Sequence, residues 1–206
     1  MADSRTKNTT RNIYSGLIYR VVLILLPFFN RTIILTVLGA EYTGLSSLFT
    51  SILGVLNLAE LGFNTSVVYS MYRPMATKKW EEVRYYLTLI KKVYGVVGLV
   101  VFFGGLCLIP FLKYLIGGDC PDDINIYVLY FLYLFNSAIS YFLFSYKESL
   151  LLADQRNDIT NKIRTIVDTS RYLIQFVIIL VTKNIYIYVC VQICGTIISN
   201  LMIQYC

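Results

Sequence analysis

The sequence predicts an all-α, polytopic membrane protein with six transmembrane helices in an up-and-down bundle. Of its 206 residues, 57% are apolar and only 15% are charged, whereas soluble domains are about 45–50% apolar and about 25% charged. A small globule has too little interior for such a surplus of apolar side chains. Apolar runs of about 20 residues, enough to cross a bilayer as a helix, recur along the chain. Short connections between such helices make neighbours antiparallel.

The first three predicted spans come from long apolar runs of the N-terminal half. The first, about residues 13–38, contains Pro27, which bends a helix because it has no backbone N–H to donate and its ring clashes with the carbonyl four residues earlier. The second covers about residues 42–72. The third, about residues 83–116, is longer than the hydrocarbon layer requires and ends at a glycine pair.

The last three predicted spans are separated by the short polar connections Asp154-Gln155 and Lys183-Asn184. They lie at about residues 124–153, 158–182 and 185–206. The chain ends inside the last of these apolar runs, without a charged tail. We therefore expect residues 1–206 to be the N-terminal piece of a longer protein.

The charges of the predicted loops are unequally distributed between the two sides. One side holds only Lys113 and Lys183, together with an acidic cluster of three aspartates (119, 122 and 123). The other side carries the basic residues Arg5, Lys7, Arg11, Arg73, Lys78, Lys79, Arg84, Lys147, Arg156, Lys162 and Arg164. The rule that positive loops stay inside predicts a cytoplasmic N-terminus. The net charge of +6 then indicates anionic membrane lipids as partners, and no nucleic acid is needed to explain it.

The composition excludes several catalytic and metal-binding sites. Without histidine there is no Ser/His/Asp or Cys/His catalytic group and no His-ligated metal. The five cysteines form no CxxC pair, so neither a disulfide framework nor a zinc site is indicated. No acid/base pair or activated nucleophile is visible. The sequence predicts neither an enzyme nor a cofactor.

Charged residues inside the first two spans are candidates for function because charge at membrane depth is costly. Counting from the outer helix ends places Arg31 about 12 Å deep, Arg20 about 28 Å and Glu60 about 27 Å. Arg20 and Glu60 are level, which predicts a structural ion pair. Arg31 has no level carboxylate, so it either binds an anionic ligand or extends to the interface.

The fifth span carries a polar stripe on one helix face. Its members recur at i, i+3, i+7, i+10 and i+14, and they are Asn161, Arg164, Asp168, Arg171 and Gln175. Projection of the first two turns into the cytoplasm would explain the first two residues but not Arg171, which counts to about 18 Å below the outer end. We therefore predict a wet cavity in which Arg164, Asp168, Arg171 and Gln175 bind substrate with Arg31. The excess of arginine favours an anionic passenger, phosphate above all.

The sixth span repeats this pattern more weakly, with Gln192, Thr196, Ser199 and Asn200. These residues either line the same cavity or form hydrogen bonds between helices. The sequence alone leaves both interpretations open.

Several segments resemble the polysaccharide-transporter branch of the MOP flippase superfamily. They are Phe29–Thr32, Leu38–Leu45, Leu58–Gly62, Tyr69–Ala76 and Tyr146–Gln155. The resemblance implies two pseudo-symmetric six-helix lobes around a cavity, of which this chain is the N-terminal one and the C-terminal lobe is missing. It also implies that Arg31 lies in the cavity wall, as an arginine of related lipid II flippases does. Leu56, Asn57 and Leu58 stand where those flippases carry further arginines.

The function implied is movement of an undecaprenyl-diphosphate-linked oligosaccharide across the bacterial cytoplasmic membrane by alternating access. The passenger would be a repeat unit of capsule or exopolysaccharide. Two alternatives remain open at this point. One is a multidrug or metabolite exporter of the same architecture, and the other is a non-transporting membrane scaffold in glycan assembly.

Overall fold

The computed structural model describes residues 2–57, 63–117, 121, 123–143 and 145–205, and it contains no strand in these ranges. The chain folds into helices that are joined by short connections. The helices are α1 Ala2–Val37, α2 Ala40–Asn57, α3 Phe63–Ala76, α4 Trp80–Leu108, α5 Leu112–Leu115, α6 Ile126–Phe142, α7 Ser145–Ala153, α8 Asn157–Thr182 and α9 Ile185–Gln204, with a 3₁₀ turn, Ile109–Phe111, between α4 and α5.

Four helical stretches in the described part of the chain are long and apolar enough to cross a membrane. They are Thr9–Val37, Trp80–Leu115, Asn157–Thr182 and Ile185–Gln204. Helices α6 and α7 make a fifth if the 53° bend between them lies within one span. Large apolar side chains cover the outside of α1, for example Ile24 and Phe28, as expected of a surface that faces lipid.

The observed helices differ from the predicted spans in three places. Helix α1 begins at Ala2, so the polar N-terminal residues continue the first span as helix. The second predicted span is represented by α2 and α3, and the residues between them lie outside the described ranges. The fourth is divided into α6 and α7. The fifth and sixth predicted spans coincide with α8 and α9.

Helices α6 and α9 begin where an asparagine satisfies free backbone donors. Asn125 Oδ1 accepts from the N–H groups of Tyr127 and Val128, and Asn184 Oδ1 accepts from Tyr186 and Ile187. Such caps stabilise a helix start because the first turn has no intrahelical acceptors. The cap at Asn184 follows Lys183, which ends α8 in the left-handed conformation (φ 50°). The tight reversal makes α8 and α9 antiparallel neighbours.

Contacts between helices define two ends of the bundle. At one, which we call the Arg11 end, Arg11 of α1 pairs with Asp158 at the start of α8. At the other, the Tyr42 end, the Tyr42 hydroxyl donates to Asp123 at 2.6 Å. Because Tyr19 of α1 also meets Asp168 of α8, α1 and α8 run parallel.

The ion cluster at the Arg11 end fastens α1 to the connection before α8. The carboxylate of Asp158 is only 2% exposed, and Arg11 Nε lies 2.8 Å from its Oδ2. Lys162 and Arg156 approach the same carboxylate at 3.7 and 3.8 Å. Asn12 adds two hydrogen bonds to the same region, because its side chain accepts from the Asp158 N–H and donates to the Gln155 carbonyl. The start of α8 is therefore held by both charge and hydrogen bonds.

The apolar core has one cluster around α2, α6 and α9 and another around α3, α4 and α7. Phe49 and Tyr130 meet edge to face in the first cluster, with ring centroids 5.3 Å apart. Tyr130 also donates to the Gly105 carbonyl of α4 at 3.0 Å. Helix α4 approaches α6 so closely here that a Cβ on Gly105 would overlap the Leu134 side chain. Glycine at this position sets the α4–α6 distance.

This close approach predicts opposite effects of alanine at two adjacent glycines. We expect Gly105→Ala to lower the thermal unfolding midpoint in detergent, since overpacking costs about 1–3 kcal/mol. Gly104→Ala is the control, because its Cβ would meet Leu56 Cδ2 at an ordinary 3.5 Å. That variant should keep or raise the midpoint, as alanine favours helix by about 1 kcal/mol. Equal midpoints for the two variants would contradict the proposed contact.

Candidate functional site

Three adjoining cavities run through the polar interior of the bundle. The first, here called the charged cavity, has a volume of about 430 Å³. Its wall contains the side chains of Glu148 (α7), Arg164, Asp168 and Arg171 (α8), and Thr196, Ser199 and Asn200 (α9). Three members of the stripe predicted on α8 therefore lie together, as expected from their helical spacing.

The charges of this cavity form two ion pairs. Arg164 Nη2 lies 2.6 Å from Glu148 Oε2, and Arg171 Nη2 lies 3.1 Å from Asp168 Oδ1. Tyr19 of α1 donates to Asp168 Oδ2 at 3.3 Å. Within the described lining, two positive and two negative groups balance. The excess of arginine predicted for the fifth span is therefore neutralised locally.

Arg171 is held in place by a residue of its own helix and by α9. Its guanidinium lies over the Tyr172 ring, 4.5 Å from the centroid, an arrangement favoured by cation–π attraction. Its aliphatic stem crosses Gly195 of α9, where a Cβ would come within 2.6 Å of Arg171 Cδ. Glycine at position 195 thus gives the arginine room to reach the cavity.

The second cavity, here called the hydroxyl cavity, has a volume of about 530 Å³ and lies toward the Tyr42 end. Helix α2 lines it with a row of hydroxyl side chains: Thr43, Ser46, Ser47, Thr50 and Ser51. Helices α6, α8 and α9 add Tyr133, Tyr172, Tyr188 and Gln192. These groups donate and accept hydrogen bonds without carrying charge.

Arg31 supplies the charge of the hydroxyl cavity. It is the one ionised side chain among the described residues that line this cavity. Its side chain is exposed, and no described carboxylate lies within ion-pair distance of it. Arg31 therefore presents an uncompensated guanidinium to whatever occupies the space.

A third, smaller cavity of about 230 Å³ lies between the other two. It shares Ser140 and Thr196 with the charged cavity, and Thr50, Tyr133 and Gln192 with the hydroxyl cavity. We call the three together the polar path. It extends from the ion pairs of α7 and α8 to Arg31 on α1.

Comparison with known proteins found no relative of this chain. No family model, curated protein or solved structure matches the chain.

Two members of the predicted stripe lie outside the polar path. Gln175 is 1% exposed, and its side chain donates to the Tyr188 carbonyl at 3.1 Å. It lies two turns before the α8–α9 connection, where the two helices pack closely, so it joins helices and does not line the cavity. Asn161 is buried against α1, where it donates to Ser15 Oγ.

The predicted pair of Arg20 and Glu60 stays a prediction. Arg20 is exposed on α1. Glu60 lies outside the described residues, so the structure gives no distance between the two groups.

The polar residues of α9 serve both of the roles that the sequence left open. Thr196 donates to Asn136 Oδ1 of α6 at 2.9 Å, which is a hydrogen bond between helices. The same residue lines the charged cavity with Ser199 and Asn200. Interhelical bonding and cavity lining are therefore compatible on this helix.

The hydroxyl row of α2 was not among the residues predicted from the sequence. Its five residues follow one another at i, i+3, i+4, i+7 and i+8, which is the spacing of one helix face. Serine and threonine occur inside membrane helices for ordinary packing reasons, so they do not stand out beside charged residues. The placement of all five hydroxyl residues on one helix face was the sequence feature that could have indicated them.

The described residues contain no group of three or more His, Cys, Asp or Glu side chains that would hold a metal ion. The two carboxylates of the charged cavity each face an arginine instead. The arrangement is suited to binding polar and anionic groups.

Proposed function

We propose that this chain is one lobe of a flippase that carries an undecaprenyl-diphosphate-linked oligosaccharide across the bacterial cytoplasmic membrane. The observation that carries the proposal is the polar path with the uncompensated Arg31 at one end. The passenger has the matching chemistry, since it combines a diphosphate with a chain of uncharged hydroxyl groups.

Arg31 suits the diphosphate of such a passenger. A guanidinium stays ionised and offers paired donors that fit two phosphate oxygens. An arginine at membrane depth costs about 2.5–3.5 kcal/mol on insertion scales, and an anionic ligand offsets this cost. The ion-paired arginines of α8 are less available, because a ligand would first have to displace a carboxylate.

The uncharged part of the polar path suits the saccharide. Sugar hydroxyls need partners when they leave water, because an unsatisfied buried hydroxyl is costly. The serine, threonine, tyrosine and amide side chains of α2, α6 and α9 supply donors and acceptors along the path. The polyprenyl tail needs no such partners and remains in the bilayer.

The proposal includes a topology. The Arg11 end would be cytoplasmic, as the loop charges indicate. Helices α2 with α3, and α6 with α7, would each account for one crossing, which gives six. A second lobe, implied by the resemblance to MOP flippases, would close the path for alternating access.

A multidrug exporter of cationic compounds agrees less well with the charges. Such a passenger requires an available carboxylate, and Asp168 and Glu148 each lie against an arginine. We therefore favour the anionic passenger.

Binding measurements test the proposal directly. Native mass spectrometry of the purified chain would compare undecaprenyl diphosphate, undecaprenyl monophosphate and undecaprenol, which share one tail. We expect the diphosphate to bind most tightly and undecaprenol most weakly, because only the phosphate groups engage Arg31. Equal binding of all three would show that the tail alone is recognised and would overturn the proposal.

A further inference from the structure

A groove between α1 and α8 lies at the Arg11 end, away from the polar path. Its volume is about 350 Å³, and it is lined by Arg11, Tyr14, Ile18, Lys162 and Ile166, with Ser15 and Thr165. On α8, Lys162 and Ile166 point to the face opposite Asp168 and Arg171, since residues advance 100° per position around a helix. Helix α8 thus separates the groove from the polar path, and the groove is independent of the proposed passenger site.

The wall of this groove is apolar and open to the surroundings of the protein. Tyr14 is 69% exposed, Ile18 44% and Ile166 63%. In a membrane protein such side chains contact acyl chains. The groove therefore continues into the lipid-facing surface of α1 and α8.

The head of the groove carries more positive than negative charge. Arg11, Arg156 and Lys162 surround Asp158, so three cations share one carboxylate. Asp158 is buried, whereas the Lys162 side chain is 61% exposed. An external anion can therefore reach the cations without displacing the carboxylate. Lys162 lies in the second turn of α8, close to the end of the helix, which is the level expected for lipid headgroups.

We propose that the groove binds one anionic phospholipid. Its phosphodiester lies beside Lys162 and Arg11, and one acyl chain lies along Tyr14, Ile18 and Ile166. Basic pockets between transmembrane helices suit such headgroups. A zwitterionic lipid would place its own cation beside the basic residues at the head of the groove, where it is repelled. A soluble anion has no acyl chain and would leave the apolar wall uncovered. Charge complementarity and the apolar wall together select the anionic lipid.

The test compares lipid binding of variants in vesicles of phosphatidylcholine that contain spin-labelled phosphatidylglycerol. We expect Lys162→Gln to weaken association about fivefold, because one basic residue near the membrane surface contributes about that factor. The matched control is Lys78→Gln, which removes an exposed lysine from the α3–α4 connection. This control should leave binding unchanged, and both variants should keep the wild-type melting midpoint.

A second variant examines the apolar wall. Ile166→Ser should also weaken phosphatidylglycerol binding, while the soluble headgroup analogue glycerophosphoglycerol should bind weakly to every form. Equal losses for Lys162→Gln and Lys78→Gln would indicate general surface attraction and overturn the proposal. Equal binding of spin-labelled phosphatidylcholine, or no effect of Ile166→Ser, would overturn it as well. None of these outcomes depends on whether undecaprenyl diphosphate binds at Arg31.

Discussion

Replacing Arg31 with Ala is expected to weaken binding of undecaprenyl diphosphate by about 10- to 100-fold. Hydrogen bonds to charged groups contribute about 1.5–3 kcal/mol each, and Arg31 is the one ionised group among the described residues of the hydroxyl cavity. Arg31→Lys should lie between the wild type and Arg31→Ala, because an ammonium keeps the charge without the planar pair of donors. Native mass spectrometry at equal protein concentration gives the ratio.

Arg20→Ala provides the control on the same helix. Arg20 is also exposed, and it lines none of the three cavities of the polar path. If it pairs with Glu60 as predicted, its loss lowers the amount of folded protein but leaves the affinity of the remaining protein intact. Equal affinities for the wild type and Arg31→Ala would return Arg31 to a role at the lipid interface.

Asp158→Asn is expected to lower the free energy of unfolding by about 1–3 kcal/mol, the cost of leaving a buried polar group without its partner. The amide keeps the shape of the side chain but leaves three cations around a neutral group. Arg11 is affected most, since its Nε lies 2.8 Å from the carboxylate. The melting midpoint in detergent should fall, and fluorescence-detected gel filtration should show less folded protein.

Asp154→Asn is the matched control because Asp154 is exposed in the connection just before α8. It should melt like the wild type. Adding Arg11→Gln to Asp158→Asn should recover part of the loss, because it removes one of the crowded cations. A midpoint for Asp158→Asn that equals that of Asp154→Asn would show that the cluster contributes nothing to stability.

Helical periodicity explains which parts of the fold and site the sequence predicts. One face of α8 carries Arg164, Asp168 and Arg171, whatever the angle at which α8 crosses its neighbours. Their position in the wall of one cavity therefore follows from their spacing along the helix alone. The packing of Gln175 depends instead on how closely α9 approaches α8. The spacing of residues along α8 carries no information about that distance. The 53° bend between α6 and α7 is equally invisible, since no proline or glycine marks it in the sequence.

Ion pairing between helices is the other property that the sequence does not contain. The stripe on α8 has more arginines than carboxylates because Glu148, the partner of Arg164, belongs to a different helix, whereas the i, i+3 spacing of Asp168 and Arg171 is already that of a pair on one helix. Arg164 and Arg171 lie 2.6 and 3.1 Å from carboxylates, so their charges are compensated. The uncompensated positive charge is therefore on α1 and not on α8. Arg31 thereby becomes the more informative residue.

Under the proposed function, the hydroxyl row of α2 would have a kinetic consequence for a bulky passenger. Hydroxyl groups recur every three to four residues, about every 5 Å along the helix axis. A sugar ring that advances by one such step exchanges one hydrogen-bond partner for the next, so it never gives up all of them together. The barrier for translocation would then be set by single exchanges and not by complete dehydration of the saccharide. On the same proposal, a path of similar uncharged hydroxyl groups would accept different sugars and leave discrimination to the phosphate at its end.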